Sequence, residues 1–149
     1  MSTYELYHQH PVNQSIHFLC IPMIILTSMN FLNNIYLSTC KSKYGYNFEW
    51  DTKSFMMLVY NFYYFRISWS VYFTMMFYLI VLSKLSNYWQ KTDPHWLRNS
   101  FIVFTGGWVL QFIGHLIEGV RPALVDSLSS AVFEAPMFSL SYALPYLNN

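Results

Sequence analysis

Apolar residues in this chain gather into long runs that are separated by short charged stretches. No formally charged residue lies between Leu6 and Cys40, and within this run Phe18–Leu37 is long enough to cross a bilayer as a helix of about 20 residues. Asn99–Ile117 is another uncharged run of similar length. The pattern predicts membrane-spanning helices. Three asparagines in the first run are costly in lipid and should face other helices or the interface: Asn30, Asn33 and Asn34.

A middle run, Phe55–Leu82, is interrupted only by Arg66. As one helix it would be about 42 Å long, which exceeds the hydrocarbon core of about 30 Å. As two shorter helices it would turn near Arg66, where Tyr63, Tyr64 and Trp69 suit interfacial depth. The run is therefore open to two interpretations, one crossing or two.

The other segments are polar or broken. A polar loop follows the first apolar run, and Lys84–Arg98 is a further charged stretch that contains a turn signal. The tail, from about Ser127, is moderately apolar and is interrupted by Pro136 and Pro145. We expect an all-α, polytopic membrane helical bundle with about four transmembrane helices and a C-terminal interfacial or re-entrant segment. Residues 1–149 would form a single integral membrane domain.

Composition supports this class and excludes others. Only 10% of the 149 residues are charged, against about 25% in soluble domains, and 54% are hydrophobic. The net charge of +1 leaves no basic surface for nucleic acid. Because the chain is rich in long apolar runs, the expected partner is a lipid bilayer. Cys20 and Cys40 form no CxxC pair, and we expect no cleavable signal peptide before the first apolar run. The oligomeric state is left open.

Two clusters hold the residues with metal-binding chemistry. His8, His10 and His17 precede or begin the first apolar run, and His115 and Glu118 end the last one. Residues three apart on a helix point to one face, and ionisable residues at membrane depth usually have a function. Imidazole and carboxylate without nearby thiolates suit a non-haem Fe(II) site of the two-His-one-carboxylate kind, and they suit zinc almost as well.

A simpler interpretation needs no metal. The histidines near the N-terminus could be interfacial residues at a helix start, with Asn13 as the helix cap. Glu118 and Arg121 could form an ion pair at a helix end. The spacing alone does not decide between the two interpretations.

Taken together, the two clusters resemble the 2-hydroxy fatty acid dioxygenases of α-oxidation, small endoplasmic-reticulum membrane proteins with bacterial relatives. The N-terminal pattern of that family is matched by Tyr7-His8, Pro11, Asn13, His17 and Pro22. The C-terminal pattern is matched by Trp108, Gln111, Gly114-His115, Glu118, Pro122-Ala123-Leu124, Asp126 and Ala135-Pro136. The resemblance covers nearly the whole chain.

The resemblance implies an Fe(II)-dependent dioxygenase that converts a 2-hydroxy long-chain fatty acid and O2 to the fatty acid one carbon shorter. Its cofactor would be Fe(2+), and its location the endoplasmic-reticulum membrane if the host is a eukaryote. The implied catalytic and metal-binding residues are His8, His17, His115 and Glu118. His10 is disfavoured as a ligand, because relatives carry Asn or Asp there and Pro11 makes a continuous helix through it unfavourable.

Weaker candidates for substrate binding are Arg121, Arg66, Asn13 and Gln111. A guanidinium could pair with the carboxylate of the substrate through two hydrogen bonds. If the metal-binding histidines share one metal, the ends of the first and last spans must lie at the same depth, which favours two crossings within Phe55–Leu82. Alternative functions are a zinc-dependent membrane lipid hydrolase and a non-catalytic membrane scaffold.

Overall fold

The computed structural model describes residues 9–41, 47–122, 128–144 and 147. The described elements are α1 (Pro11–Leu32), β1 (Tyr36–Lys41), β2 (Asn47–Asp51), α2 (Thr52–Phe65), α3 (Trp69–Thr92), α4 (Trp96–Glu118) and α5 (Leu128–Ser141). The helical class predicted from the sequence is confirmed. Three of these helices, α1, α3 and α4, are long and apolar enough to cross a membrane.

Helix α1 begins at Pro11, earlier than the predicted span. Proline suits the first helical position, because its fixed φ is helical and the backbone N–H that it lacks would have no partner inside the helix. His10 caps the helix, since its Nδ1 accepts a hydrogen bond from the Val12 N–H at 3.2 Å and its carbonyl accepts one from the Gln14 N–H at 3.0 Å. The cap is therefore His10 and not Asn13. The helix stops at Leu32, short of the predicted end.

A hairpin replaces the polar loop that was expected after the first apolar run. Strands β1 and β2 pair antiparallel, with Thr39 opposite Glu49 and Lys41 opposite Asn47. Aromatic residues occur in both strands, β1 also contains the β-branched Thr39, and both residue types favour the extended backbone. Strand β2 leads directly into α2, whose N-terminus is capped by Asp51 through a 2.6 Å hydrogen bond from the Ser54 N–H.

The middle apolar run forms two helices that break at Arg66, as the second interpretation expected. Helix α2 ends in a tight turn, where the Arg66 N–H binds the Tyr63 carbonyl at 3.2 Å. Ser68 then caps α3 by accepting a hydrogen bond from the Val71 N–H. Helix α3 continues to Thr92, so most of the charged stretch is helical.

The chain divides into two compact units, one formed by Met1–Ile25 and Phe101–Asn149 and the other by Leu26–Ser100. We call them the terminal unit and the central unit. In the terminal unit, the Tyr142 ring after α5 lies 5.1 Å from Phe138 and 6.3 Å from Phe18, which places the end of α5 beside α1.

In the central unit, helices α2 and α3 run antiparallel. The Lys53 ammonium at the start of α2 donates to Oδ1 of Asn87 near the end of α3, at 2.7 Å. One face of α3 is buried at helical spacing and supplies much of the apolar core of the unit. The buried apolar residues of this face are Val71, Met75, Leu79 and Leu82.

Polar side chains join three helix ends in the central unit. The fully buried Asn30 of α1 donates from Nδ2 to Oγ of Ser100 at 2.7 Å, and its Oδ1 accepts from the Ser86 hydroxyl at 2.7 Å. The Gln90 amide donates to the same Oδ1 at 3.3 Å. We call these four residues the Asn30 cluster. Burial of polar groups is tolerated here because they bind one another, so the prediction that Asn30 faces other helices is confirmed.

Candidate active site

Helices α1 and α4 pack closely and antiparallel in the terminal unit. A Cβ placed at Gly107 would lie 2.9 Å from Cγ1 of Ile24, and a Cβ at Gly114 would overlap the side chain of Asn13. Small residues at such positions let two helix backbones approach. The buried face of α4 continues from these glycines through Gln111 and His115.

His17 and His115 lie side by side on the facing surfaces of α1 and α4. Their ring centroids are 5.0 Å apart with the planes at 83°, and their side chains are only 1% and 5% exposed. Two imidazoles at this separation, shielded from water, form a donor set of the kind that binds Fe(II) or Zn²⁺. The structure thus brings together two of the predicted metal-binding residues from opposite ends of the sequence.

The orientation of the His17 ring is set by the backbone. Nδ1 of His17 lies 3.0 Å from the carbonyl oxygen of Asn13. Because a carbonyl only accepts, Nδ1 carries the proton and the lone pair of the neutral ring is on Nε2. Metal-binding histidines usually donate their other N–H in this manner, so the geometry of His17 fits a ligand role.

The Glu118 carboxylate lies at the beginning of α1. Its Oε1 accepts from the backbone N–H groups of Gln9 at 2.5 Å and His10 at 3.1 Å. Its Oε2 accepts from Nδ2 of Asn13 at 2.5 Å. A helix N-terminus favours negative charge, so this carboxylate fixes the start of α1 against the end of α4. Its ligand role stays a prediction.

The remaining three histidines of the chain are His8, His10 and His95. His8 lies outside the described residues. His10 is exposed and caps α1, and His95 is exposed in the turn between α3 and α4. Across residues 9–41, 47–122, 128–144 and 147, no group of three or more His, Cys, Asp or Glu side chains is arranged to hold a metal ion. The full ligand set therefore stays a prediction.

A groove of about 550 Å³ adjoins His115 at the end of α4. Gly119 adopts a left-handed backbone with φ of 74°, and its N–H and that of Val120 both bind the His115 carbonyl, so the helix ends here. The residues that follow Gly119 also line the groove. The lining residues are Phe112, His115, Leu116, Gly119, Val120, Arg121 and Pro122.

The groove combines apolar walls with one guanidinium. Arg121 is exposed at its edge, where it could bind an anionic group, while Phe112 and Leu116 offer apolar surface. Gln111 is buried one helical turn before His115. Arg66, the alternative arginine, belongs to the central unit, where its guanidinium lies 5.7 Å from the centre of the Phe62 ring.

Sequence reasoning missed two parts of this site. It gave no role to Gly114, whose lack of a side chain leaves room for Asn13. It also treated Asn13 as a cap or a substrate contact, whereas Asn13 links Glu118 and His17. The available signal was a glycine directly before a histidine in a helix, because glycine in a helix interior is unfavourable unless close packing requires it.

Comparison with known proteins places the chain in a family. A family model described as "2-hydroxy-palmitic acid dioxygenase Mpo1-like" matches residues 1–145. A protein of Saccharomyces cerevisiae named "2-hydroxy-palmitic acid dioxygenase MPO1" is 24% identical over 144 residues, which cover 91% of this chain and 72% of the yeast protein. No solved structure matches. The resemblance carried by the two clusters is confirmed, and the chain belongs to the Mpo1-like family.

Proposed function

We propose that this protein is an Fe(II)-dependent dioxygenase of fatty acid α-oxidation. It would convert a 2-hydroxy long-chain fatty acid and O2 to the fatty acid one carbon shorter. The atoms balance if one O2 is consumed and the carboxyl carbon leaves as CO2 with one water. The observation that carries the proposal is the buried pair of His17 and His115 beside a groove that has apolar walls and an arginine. The name of the yeast relative supports the substrate class.

We assign His8, His17 and His115 to hold the iron. Bound Fe(II) would supply the one-electron chemistry that the reaction of O2 with a closed-shell acid requires. The protein contributes orientation: the Asn13 carbonyl keeps the Nδ1 proton of His17 in place, and burial keeps water from both rings. Glu118 holds the backbone of Gln9, the residue that follows His8.

The groove would bind the substrate by its two ends. Arg121 suits the carboxylate, because a guanidinium can donate two parallel hydrogen bonds to it. The apolar walls suit the alkyl chain, whose transfer out of water is favourable by about 0.8 kcal/mol per buried CH2. Gln111, buried one turn before His115, is the candidate to contact the 2-hydroxyl group.

Four membrane crossings are the topology that we propose. In the central unit, Asn30 near the end of α1 contacts Ser86 of α3, and Asn33, just after α1, contacts Gln90 one turn further along α3. The end of α1 and α3 therefore run in the same direction. If both cross, α2 must cross back between them. Its 14 residues span about 21 Å, so flanking residues or a thinned bilayer must supply the rest.

After Glu118, α5 would form the interfacial or re-entrant segment. In a eukaryotic host the membrane would be that of the endoplasmic reticulum. Neither feature enters the chemistry proposed for the site.

A turnover assay tests the proposed function. Detergent-purified protein would be loaded with Fe(II) without oxygen, given 2-hydroxypalmitate and air, and analysed by mass spectrometry for pentadecanoate. We expect one shortened acid per O2, and loss of at least about 100-fold in kcat/KM for His17→Ala and His115→Ala. His95→Ala is the matched control, because His95 is exposed in the α3–α4 turn.

The outcomes separate the alternatives. If iron-loaded wild type forms no shortened acid, the proposed dioxygenase activity is contradicted. Bound zinc together with release of fatty acid from a lipid ester would favour the zinc-dependent hydrolase. Dispensable histidines with no metal bound would favour the non-catalytic scaffold.

A further inference from the structure

Asn13 lies where the two sequence clusters meet. Its side chain is fully buried at the first turn of α1. Because a carboxylate only accepts, the NH2 group of Asn13 must face Glu118, and this fixes the orientation of the amide. Oδ1 then faces Gly114 and has no hydrogen-bond partner in the part of the chain that the structure describes.

The same residue also holds His17. The backbone carbonyl of Asn13 accepts from Nδ1 of the His17 ring at 3.0 Å. A movement of Asn13 therefore changes the hydrogen bond to Glu118 through the side chain and the hydrogen bond to His17 through the backbone. Glu118 and His17 are coupled through a single residue.

The absence of a side chain at Gly114 leaves space for the side chain of Asn13, and we call this space the seat of Asn13. A Cβ at Gly114 would overlap Oδ1 of Asn13, lie 3.2 Å from its Cγ, and lie 3.3 Å from Cδ1 of Ile16. The Asn13 amide cannot move aside without losing the hydrogen bond to Glu118, because the side chain is buried on every side. At Gly106, on the same helix, such a Cβ would have no atom of the described residues within 4 Å.

We propose that Asn13, seated on Gly114, is the positioning residue of the active site. Glu118 fixes the position of Asn13 through the Asn13 side chain, and the Asn13 carbonyl in turn orients the ring of His17. Glu118 then acts on the metal site through Asn13 and does not itself bind the metal. This inference rests on the proposed function, because it assigns Asn13 a role toward the metal held by the histidines.

The first test is a double-mutant cycle on metal affinity, measured by anaerobic titration with Co(II) as a spectroscopic probe. Gly114→Ala and Asn13→Ala should each weaken binding by about 10- to 100-fold, the usual loss when a supporting hydrogen bond to a metal site is removed. The double variant should bind no more weakly than Asn13→Ala, because the overlap disappears with the asparagine side chain. Gly106→Ala should bind as wild type does.

The second test exchanges the hydrogen-bonding partners. Glu118→Gln places an NH2 group against that of Asn13 and should weaken Co(II) binding by 10-fold or more. Adding Asn13→Asp supplies an acceptor for that NH2 group and should restore affinity to within about 3-fold of wild type. A merely structural contact would restore stability without restoring affinity, so the thermal midpoint of the metal-free protein is measured in parallel.

Each outcome bears on a different claim. If the exchange pair stays as weak as Glu118→Gln while wild type binds Co(II), Glu118 is a ligand and the positioning role falls. If the losses of affinity from Gly114→Ala and Asn13→Ala multiply in the double variant, Gly114 does not act by leaving space for the Asn13 side chain, and that part of the inference is wrong. If wild type binds neither Co(II) nor Fe(II), the proposed function fails before the inference is reached.

Discussion

Replacement of Asn30 by leucine should destabilise the central unit by a measurable amount. Asn30 makes hydrogen bonds to Ser100 and Ser86 at 2.7 Å each and to Gln90 at 3.3 Å. Leucine has a similar shape and can fill the space, so the substitution removes these bonds and leaves little cavity. The polar groups of Ser100, Ser86 and Gln90 stay inside the protein and must find new hydrogen-bond partners.

The expected loss follows from measured values for membrane proteins. Interhelical hydrogen bonds there contribute about 0.6 kcal/mol on average and up to about 1.7 kcal/mol. For the three bonds of Asn30, at the average value of about 0.6 kcal/mol each, we expect a fall of about 2 kcal/mol in the free energy of unfolding. That changes the ratio of folded to unfolded protein by about 30-fold.

The assay is reversible unfolding in mixed micelles of dodecyl maltoside and sodium dodecyl sulfate, followed by circular dichroism. Asn34→Leu is the matched control, because Asn34 lies one turn later, is exposed, and makes longer hydrogen bonds, of 3.3 and 3.4 Å, within the described part of the chain. It should lose no more than about 0.5 kcal/mol. A loss below about 0.5 kcal/mol for Asn30→Leu would show that the Asn30 cluster does not hold the helix ends together.

Two further predictions concern the groove and the α3–α4 turn. Arg121→Gln should raise KM for 2-hydroxypalmitate by about 10- to 100-fold, since a hydrogen bond to a charged group contributes about 1.5–3 kcal/mol. Arg66→Gln is the control and should leave KM unchanged. Equal effects of the two substitutions in steady-state assays would overturn the choice of Arg121. In the turn, hydrogen bonds from the Trp89 indole, the Asn99 amide and the His95 backbone hold the pKa of Asp93 below its ordinary value. Their stabilisation is complete above about pH 4 and is lost as the pH falls through the lowered pKa, so acid should reduce the unfolding midpoint of wild type more than that of Asp93→Asn. A difference between the two that does not change with pH would contradict this assignment.

The existence of the long helices was predictable because few charges interrupt them. Arg66 marked the break between α2 and α3, since a lone charge in an apolar run favours an interfacial turn. The boundaries were less predictable. Helix α1 starts at Pro11 and includes polar residues such as Asn13 and His17, which are buried against α4. A hydropathy pattern assigns such polar residues to a loop, so it placed the start of the helix too late.

The hairpin between α1 and α2 was missed for a related reason. Its charged residues, such as Lys41 and Glu49, suggested a polar loop, although aromatic residues alternate with the charged ones in β2. Strand pairing depends on contacts between distant residues, and a short polar segment gives a weak local signal for it.

The site was predictable in its residue types and less so in its contacts. Histidine at membrane depth and the order of the two clusters indicated that His17 and His115 belong together, and their rings lie 5.0 Å apart. Residue types did not indicate that Glu118 reaches the backbone of Gln9 and His10, because a backbone N–H is a donor whatever the side chain of its residue. For the same reason the role of Gly114 emerged only from the packing of α1 on α4.

The most direct test of the central claim is the iron content of the protein after anaerobic loading with Fe(II) and removal of excess metal. Wild type and His95→Ala should retain about one iron per chain, whereas His17→Ala and His115→Ala should each retain at most about a tenth of that amount. Equal iron in all four proteins, or none in wild type, would contradict a metal site built on His17 and His115.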